Sequence, residues 1–185
     1  MTTGDSIASS QQPTLRTERL TLVPMRLEHL PLLHQLDSDP EVMRHLLGRA
    51  RTPEEIDTFW APRCAETTAG AVGLGWWVGF ADDATSFIGW WDLGRSDTDP
   101  HSPIDPDHVE IGWRVARRHW GQGYATEGAR ALLDHAFTTI GLTAVYAETA
   151  VANLASQAVM RKLGMTRTVA SDPESAGWTA VVHRR

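Results

Sequence analysis

The sequence is poor in the residues that several classes of protein require. A single cysteine, Cys64, excludes a disulfide framework and a thiolate cage for zinc. No stretch approaches the ~20 apolar residues of a membrane-spanning helix, so no membrane contact is expected. Lysine occurs once, at Lys162, and arginine supplies all the other basic residues. With 17 basic against 23 acidic residues, the net charge of −6 argues against a nucleic-acid partner, which needs a basic face.

What is present fits one folded domain. Hydrophobic residues make up 42% and charged residues 22% of the 185 residues, an ordinary globular balance in a chain long enough to bury its own core. Residues 1–13 are polar and unpatterned, and we expect a disordered tail there, followed by a single domain over residues 14–185. The tail has no basic start and no apolar segment, unlike a secretory signal, so we expect a cytoplasmic location.

The first third of the chain predicts one strand followed by helices. Arg19–Pro24 alternates in hydropathy like a strand, and Leu27–Leu36 has helical spacing. Asp39 before Pro40 opens a short helix to about Leu47. Thr52 and Glu55 form a capping box at the start of the next helix.

The rest of the chain predicts a β-meander and then a mixed segment. The meander consists of strands Gly73–Phe80, Ser86–Leu93 and Val109–Val115, with an acidic surface loop over Gly94–His108. The later elements are helix Tyr124–Thr138, strand Leu142–Thr149, a helix capped by Asn153 and running to Leu163, and strands near Thr166–Val169 and Trp178–Val182. The order β-α-α-α-β-β-β-α-β-α-β-β indicates a mixed α/β domain.

Two tryptophan pairs lie in the meander, Trp76-Trp77 and Trp90-Trp91. Alternation along a strand places one member of each pair in the core and the other outward. The outward members could line a pocket for an apolar or aromatic amine, or lie in a homodimer contact. The acidic loop could attract a cationic substrate or be simply solvated.

A glycine-containing turn joins the last meander strand to the next helix. Gly121 and Gly123 let the backbone approach a ligand closely, and the helix start supplies free N–H groups and a positive dipole end. These features favour a phosphate or pyrophosphate site, with Arg117 and Arg118 beside it. A turn that only packs the helix is the alternative. A dinucleotide fingerprint would need glycine at Thr126, and a Walker loop would need Gly-Lys-Ser/Thr.

A second pattern follows about 30 residues later: Asn153-x-x-Ser156 and then Arg161-Lys162-Leu-Gly164. Alone, it is a helix cap and a helix stop. Together with the glycine turn it resembles the GNAT superfamily of acyl-CoA-dependent N-acetyltransferases, and most closely the ribosomal-protein-alanine (RimJ/RimL-like) branch. The resemblance extends from Leu15 to Val182 and depends on four segments: LRTERLTLVPM, FIGWWDL, EIGWRVARRHWGQGYATEGARALL and NLASQAVMRKLGM.

The resemblance implies a mixed, mostly antiparallel central sheet with helices on both faces and acetyl-CoA as co-substrate, without a metal. The central strands would separate to admit the pantetheine arm, which Asn153 would bind, while Arg161 would reach the adenosine. Backbone groups of three strand residues would hold the pantetheine and the thioester: Trp113, Arg114 and Val115. The pyrophosphate would lie in a cradle formed by Arg118, Trp120, Gly121, Gln122, Gly123, Tyr124, Ala125 and Thr126, mainly through the N–H groups of residues 120–125.

The resemblance also implies direct attack of an unprotonated amine on the thioester, the amine belonging to a small molecule or to a protein N-terminus. Glu110 is the first candidate for the general base and Glu148 the second, although either could be an ordinary surface carboxylate. Many relatives have a tyrosine seven residues after the motif asparagine to protonate the leaving thiolate, and this chain has Met160 there. Ser156 is the proposed substitute, and its structural alternative is the N3 position of its helix.

Other classes remain as alternatives. A non-catalytic acyl-CoA-binding module would use the same cradle, and turnover with amines would separate it from an enzyme. The tryptophans suggest an aromatic carbohydrate-binding sheet, against which the helical last third counts. A nucleotide-binding oxidoreductase fragment is weakened by Thr126. The eight histidines include no His-x-x-x-His pair with a helical glutamate, so no metal site is expected.

Overall fold

The computed structural model describes residues 12–65, 73–81, 85–94, 108–168 and 177–184. Its helices are α1 (Leu30–Asp37), α2 (Pro40–Met43), α3 (Pro53–Ala65), α4 (Tyr124–His135) and α5 (Leu154–Lys162). Its strands are β1 (Leu15–Arg16), β2 (Leu20–Pro24), β3 (Gly75–Ala81), β4 (Phe87–Gly94), β5 (Glu110–Val115), β6 (Ala144–Ala150), β7 (Thr166–Arg167) and β8 (Gly177–His183). Short 3₁₀ turns cover Leu27–His29 and Arg117–His119, and a π turn, Ala136–Ile140, follows α4.

The strands form one eight-stranded sheet in the order β1-β2-β3-β4-β5-β6-β8-β7. Every neighbouring pair is antiparallel except β5 and β6, which are parallel. The predicted mixed, mostly antiparallel sheet and the β3–β4–β5 meander are therefore confirmed. Among the described strands, the two-residue β1 is the one that the sequence patterning missed.

Helices cover both faces of the sheet, which decides where the tryptophan pairs lie. Trp77 and Trp91 pack under α4 in one core cluster, and both are fully buried. Trp90 lies on the opposite face, only 5% exposed, and its ring centroid is 5.3 Å from that of Trp60 in α3. Trp76 is half-buried and packs in the same core cluster as Trp60 and Trp90. The expectation of an outward-facing pair is wrong because alternation reveals which face a residue is on, not whether a helix covers that face.

The predicted helix starts are confirmed by their caps. The Glu55 N–H donates to Thr52 Oγ1 at 3.2 Å, and the Thr52 N–H donates to Glu55 Oε2 at 2.9 Å. Asp39 accepts the Glu41 N–H at 2.9 Å. Local side chains fix these starts, so the sequence alone could identify them.

Helix ends differ more from the prediction. The helix opened by Asp39 ends at Met43 instead of about Leu47, because Leu46 and Leu47 stay exposed and gain no burial by extending it. The segment from Leu27 starts as a 3₁₀ turn, and α1 proper begins at Leu30, just before Pro31, which has no N–H and favours the first turn of a helix. α4 ends at His135 rather than Thr138 because its last turn widens into the π turn.

The folded domain also begins earlier in the chain than residue 14, where the sequence analysis placed its start. Gln12 Nε2 donates to the Trp76 carbonyl at 2.7 Å, and the Pro13 carbonyl accepts the Trp77 indole N–H at 2.7 Å. The domain therefore already includes these two residues, which the sequence analysis placed in the tail. Residues 1–11 of that tail and 95–107 of the acidic loop lie outside the described residues. Among the described helices, none combines the length and the apolarity that crossing a bilayer requires.

Candidate functional site

A gap in the middle of the sheet is the first feature of the site. β5 pairs with β4 along its whole length, from Glu110 to Val115. Within the described residues its pairing with β6 is a single position, Glu110 opposite Tyr146, where the Tyr146 N–H donates to the Val109 carbonyl at 2.9 Å. Among the described strands, the edge of β5 beyond that position has no partner. Only the backbone groups that point away from β4 are available to a ligand, those of Trp113 and the Val115 N–H, whereas the Arg114 backbone, expected to hold the pantetheine, is paired with Trp90 of β4.

The glycine turn lies where β5 leads into α4. Gly121 and Gly123 have φ angles of +74° and +89°, which residues with a Cβ rarely adopt. A Cβ at Gly121 would meet nothing within 4 Å, and the whole stretch from Gly121 to Gly123 is exposed. The turn therefore presents open backbone to solvent directly before the positive end of a twelve-residue helix.

The amides of this turn fit an anion. The Trp120 N–H donates to the Arg117 carbonyl at 3.1 Å, and the Glu127 N–H donates to the Gly123 carbonyl at 3.0 Å. Between these two amides, the described part of the chain offers no backbone partner for the N–H groups from Gly121 to Thr126. A phosphate group is the ligand that such a set of donors accommodates.

Trp120 and Arg118 form hydrogen bonds within the protein, whereas the sequence analysis expected them to bind the pyrophosphate. The Trp120 amide is occupied by Arg117, so it is not a free donor of the cradle, while its indole N–H donates to the Val115 carbonyl at 2.7 Å. Arg118 Nη2 donates to the Phe87 carbonyl at 2.8 Å and thus fastens the turn to the start of β4. Gln122 Nε2 donates to the Arg118 carbonyl at 3.0 Å. These side chains stiffen the turn, leaving its backbone for the ligand.

Carboxylates flank the gap on the sheet face that α1 and α3 partly cover. Glu110 alternates with Ile111, which lies in the α4-side core, so its side chain is on the opposite face, 18% exposed. Its Oε1 is 3.5 Å from His108 Nε2, and the His108 ring stacks on Tyr146 with centroids 4.2 Å apart. Glu148 is two residues beyond Tyr146, hence on the same face, and is exposed. Both candidate bases therefore lie beside the gap.

Asp92 and Gly112 are cross-strand partners on this face. A Cβ at position 112 would collide with the Asp92 carboxylate, which is 7% exposed. Glycine at this position therefore makes room for a third carboxyl group next to the gap.

The side chain of Arg114 has a structural role. Although its backbone lies on the candidate pantetheine strand, its guanidinium turns to the α1/α3 face and donates from Nη1 to Asp37 Oδ1 at 2.5 Å. Asp37 is fully buried and also accepts the Trp60 indole N–H at 2.8 Å. The ion pair thus joins α1 and α3 to β5. Sequence reasoning did not identify it, because no local pattern links Asp37 to a strand 77 residues away.

The second motif begins at the start of α5. Asn153 Oδ1 accepts the Ser156 N–H at 3.1 Å, which is the predicted cap. Arg161 Nη2 donates to Gln157 Oε1 at 3.3 Å from an otherwise exposed position. Met160 is 1% exposed and packs in the core under α4. It cannot donate a proton, and its role at this position is structural. The ligand contacts expected of Asn153, Ser156 and Arg161 stay predictions.

A cleft of about 480 Å³ opens beside the start of the turn. Its lining comes from α1, α2 and the ends of β4 and β5: Gln35, Leu36, Asp39, Val42, Phe87, Ala116, Arg117 and Arg118. The cleft therefore borders the 3₁₀ turn Arg117–His119, which leads into the glycine turn.

A protein family, a sequence relative and a solved structure are similar to this chain. The model of the acetyltransferase (GNAT) domain family matches residues 19–166. An FsC-acetyl coenzyme A-N(2)-transacetylase from Aspergillus fumigatus is 45% identical over 160 residues, which span 84% of this chain and 66% of that protein. A crystal structure of an acetyltransferase from Agrobacterium tumefaciens is 26% identical, with a TM-score of 0.76, and the match covers 93% of this chain and 95% of that one.

A fourth similarity concerns the fold alone. The spermidine N-acetyltransferase of Vibrio cholerae, solved in complex with CoA and spermine, has a TM-score of 0.69 at 17% identity. The match covers 90% of this chain and 96% of that one.

Proposed function

This chain belongs to the GNAT family of acetyltransferases, and we propose that it transfers the acetyl group of acetyl-CoA to a primary amine by direct attack on the thioester. One observation supports this most strongly: the gap between β5 and β6 lies in the sheet next to a turn whose exposed amides suit a diphosphate. A single extended coenzyme could occupy both.

The chain's own groups would act on the two ends of that coenzyme. The amides from Gly121 to Thr126 would bind the pyrophosphate. The backbone groups of β5 that point away from β4, those of Trp113 and the Val115 N–H, would hold the pantetheine and the thioester. A fixed backbone N–H on this edge would stabilise the negative charge that develops on the carbonyl oxygen during attack.

The attacking amine would lose its proton on the face with the carboxylates. The attacking nitrogen must lose a proton, and Glu110 is the proposed base, with Glu148 as the second candidate. A terminal α-amine, whose usual pKa is about 8, needs less help than a lysine amine, at about 10.4. The Ser156 hydroxyl, half-buried at the start of α5, is the proposed donor to the leaving thiolate.

We propose a small-molecule amine as the acceptor, ahead of a protein N-terminus. The relative with 45% identity is named for transfer from acetyl coenzyme A to a nitrogen, N(2). Glu110 and the exposed Glu148 lie beside the gap, with the buried Asp92 on the same face, and these carboxylates favour a substrate that arrives as a cation. The ribosomal-protein-alanine branch, a cytoplasmic location and self-association stay predictions.

A coupled binding and turnover experiment tests the proposal. Thermal-shift titration with acetyl-CoA comes first, with about 2.7 kcal/mol of stabilisation expected at a hundredfold excess over Kd. Thiol release is then measured with small amines, polyamines and peptide amino-termini. Binding with turnover of one amine class supports the proposal, whereas binding without turnover of any class indicates an acyl-CoA-binding module. Absence of binding contradicts the proposal altogether.

A further inference from the structure

Two segments that are far apart in the chain are in contact next to the glycine turn. Thr17 Oγ1 donates to Glu127 Oε1 at 2.6 Å, and the backbone N–H of Arg19 donates to the same oxygen at 2.9 Å. Arg19 Nε donates to Glu127 Oε2 at 2.7 Å, and its Nη2 lies 2.5 Å from that oxygen. The corner between β1 and β2 is thereby fixed to the first turn of α4.

The remaining part of the Arg19 side chain reaches the turn itself. Nη1 donates to the Gln122 carbonyl at 3.0 Å. Nη2 lies 3.4 Å from where a Cβ of Gly123 would be, and the guanidinium carbon lies 4.6 Å from the centre of the Tyr124 ring. The Arg19 guanidinium therefore lies against three successive residues of the cradle, Gln122 to Tyr124, while its hydrogen bonds to Glu127 hold it in place.

Holding the Gln122 carbonyl also sets the direction of an amide. In a trans peptide the carbonyl of Gln122 and the N–H of Gly123 point in opposite directions. Because Arg19 holds the oxygen, the N–H is aimed away from Arg19. Glycine has access to many backbone conformations, so without such a contact the turn would spend part of its time in others.

The pair adds little net charge to the cradle. The hydrogen bond that Arg19 donates to Glu127 is the main cause that raises the pKa of Arg19. Burial alone would raise the pKa of Glu127, but the hydrogen bonds from Thr17 and Arg19 outweigh it and lower that pKa. Both groups are ionised at neutral pH and neutralise each other, so their contribution to anion binding is orientation.

We propose that Arg19 and Glu127 are positioning residues for the coenzyme, fixing the Gln122–Gly123 peptide so that its N–H faces the pyrophosphate. The inference rests on the proposed function. It predicts an effect confined to acyl donors that carry a pyrophosphate, which a loss of general stability would not produce.

The test compares two acyl donors in the thiol-release assay. For Arg19→Met we expect the KM for acetyl-CoA to rise about tenfold, as for loss of one hydrogen bond to a charged group, with an unchanged KM for the acceptor. S-acetylpantetheine lacks the pyrophosphate, so its kcat/KM is expected to be the same for wild type and variant. Arg16→Met is the matched control, because Arg16 is on the same corner, is exposed and bonds only Thr21 Oγ1 among the described side chains, at 3.1 Å.

Two further variants extend the test, and the first of them keeps it decisive if Arg19→Met folds poorly. Arg19→Lys retains the charge but lacks the fork that reaches Glu127 and Gln122 together, so we expect a smaller, still donor-specific rise in KM. Glu127→Gln combined with Arg19→Met should show less than the product of the two single effects, because each variant breaks the same contact.

The outcomes separate the two proposals. An unchanged KM for acetyl-CoA in Arg19→Met, or equal losses with both donors, overturns the positioning role while leaving the acetyltransferase proposal intact. Failure of the wild-type protein to bind acetyl-CoA overturns both.

Discussion

Replacing Asp37 by alanine probes the link between the helices α1 and α3 and the strand β5. The Asp37 carboxylate is fully buried and accepts hydrogen bonds from Arg114 at 2.5 Å and from the Trp60 indole at 2.8 Å. Its Oδ2 is also 3.4 Å from Nε of Arg51, whose side chain is 13% exposed. Burial lowers the pKa of Arg51, and the charge of Asp37 opposes that shift.

Removing the carboxylate would leave two guanidinium groups in a largely dry environment without their anion. Breaking a buried ion pair from one side costs about 3–5 kcal/mol. For a domain of this size that corresponds to a fall in Tm of roughly 6–20 °C. Arg114→Met in addition to Asp37→Ala should restore part of the loss, because it removes one of the uncompensated charges.

The assay is thermal and urea unfolding followed by circular dichroism, with Asp57→Ala as the control. Asp57 Oδ1 also has a polar partner, His34 Nε2 at 2.7 Å, but the Asp57 side chain is 57% exposed, so a loss of less than about 1 kcal/mol is expected. If Asp37→Ala loses no more stability than Asp57→Ala, the ion pair does not hold α1 and α3 on the sheet and the reasoning is refuted.

Three further predictions concern the site and its assays. Glu110→Gln should lower kcat by about 10²–10⁴, and a fall of less than threefold with an unchanged pH profile would remove Glu110 as the base. The Tm difference between wild type and Glu127→Gln should be constant at neutral pH and shrink as the pH falls below about 4.3, because the folded-state pKa of Glu127 lies below its unfolded value; a difference that grows in acid would contradict this. Burial raises the pKa of Cys64 to about 11, so the native protein should give no signal with a disulfide reagent at about pH 8 and one equivalent after denaturation. Rapid native labelling would show that the thiol is accessible.

Features set by neighbouring residues could be predicted from the sequence. The caps at Thr52, Asp39 and Asn153 each use a side chain within three residues of the amide that it binds, so the local pattern contains all the information. The glycine turn is of the same kind, since Gly121 and Gly123 adopt the positive φ angles that their type suggests.

Features set by distant contacts could not be predicted. Glu127 is an ordinary first-turn acid in the sequence, and its partner Arg19 lies 108 residues earlier. The role of the Arg114 side chain depends in the same way on where α1 packs. The resemblance to GNAT proteins included both segments of the Arg19–Glu127 contact, but their joint function became visible only when the fold brought them together.

The central claim is that backbone amides of the glycine turn bind the diphosphate of acetyl-CoA, and amide hydrogen exchange with and without CoA tests it most directly. The amides from Gly121 to Thr126 should exchange quickly in the free protein and slow markedly when CoA saturates it, while S-acetylpantetheine should protect β5 and leave the turn unchanged. Saturation with CoA that leaves exchange at residues 121–126 unaltered would contradict the account.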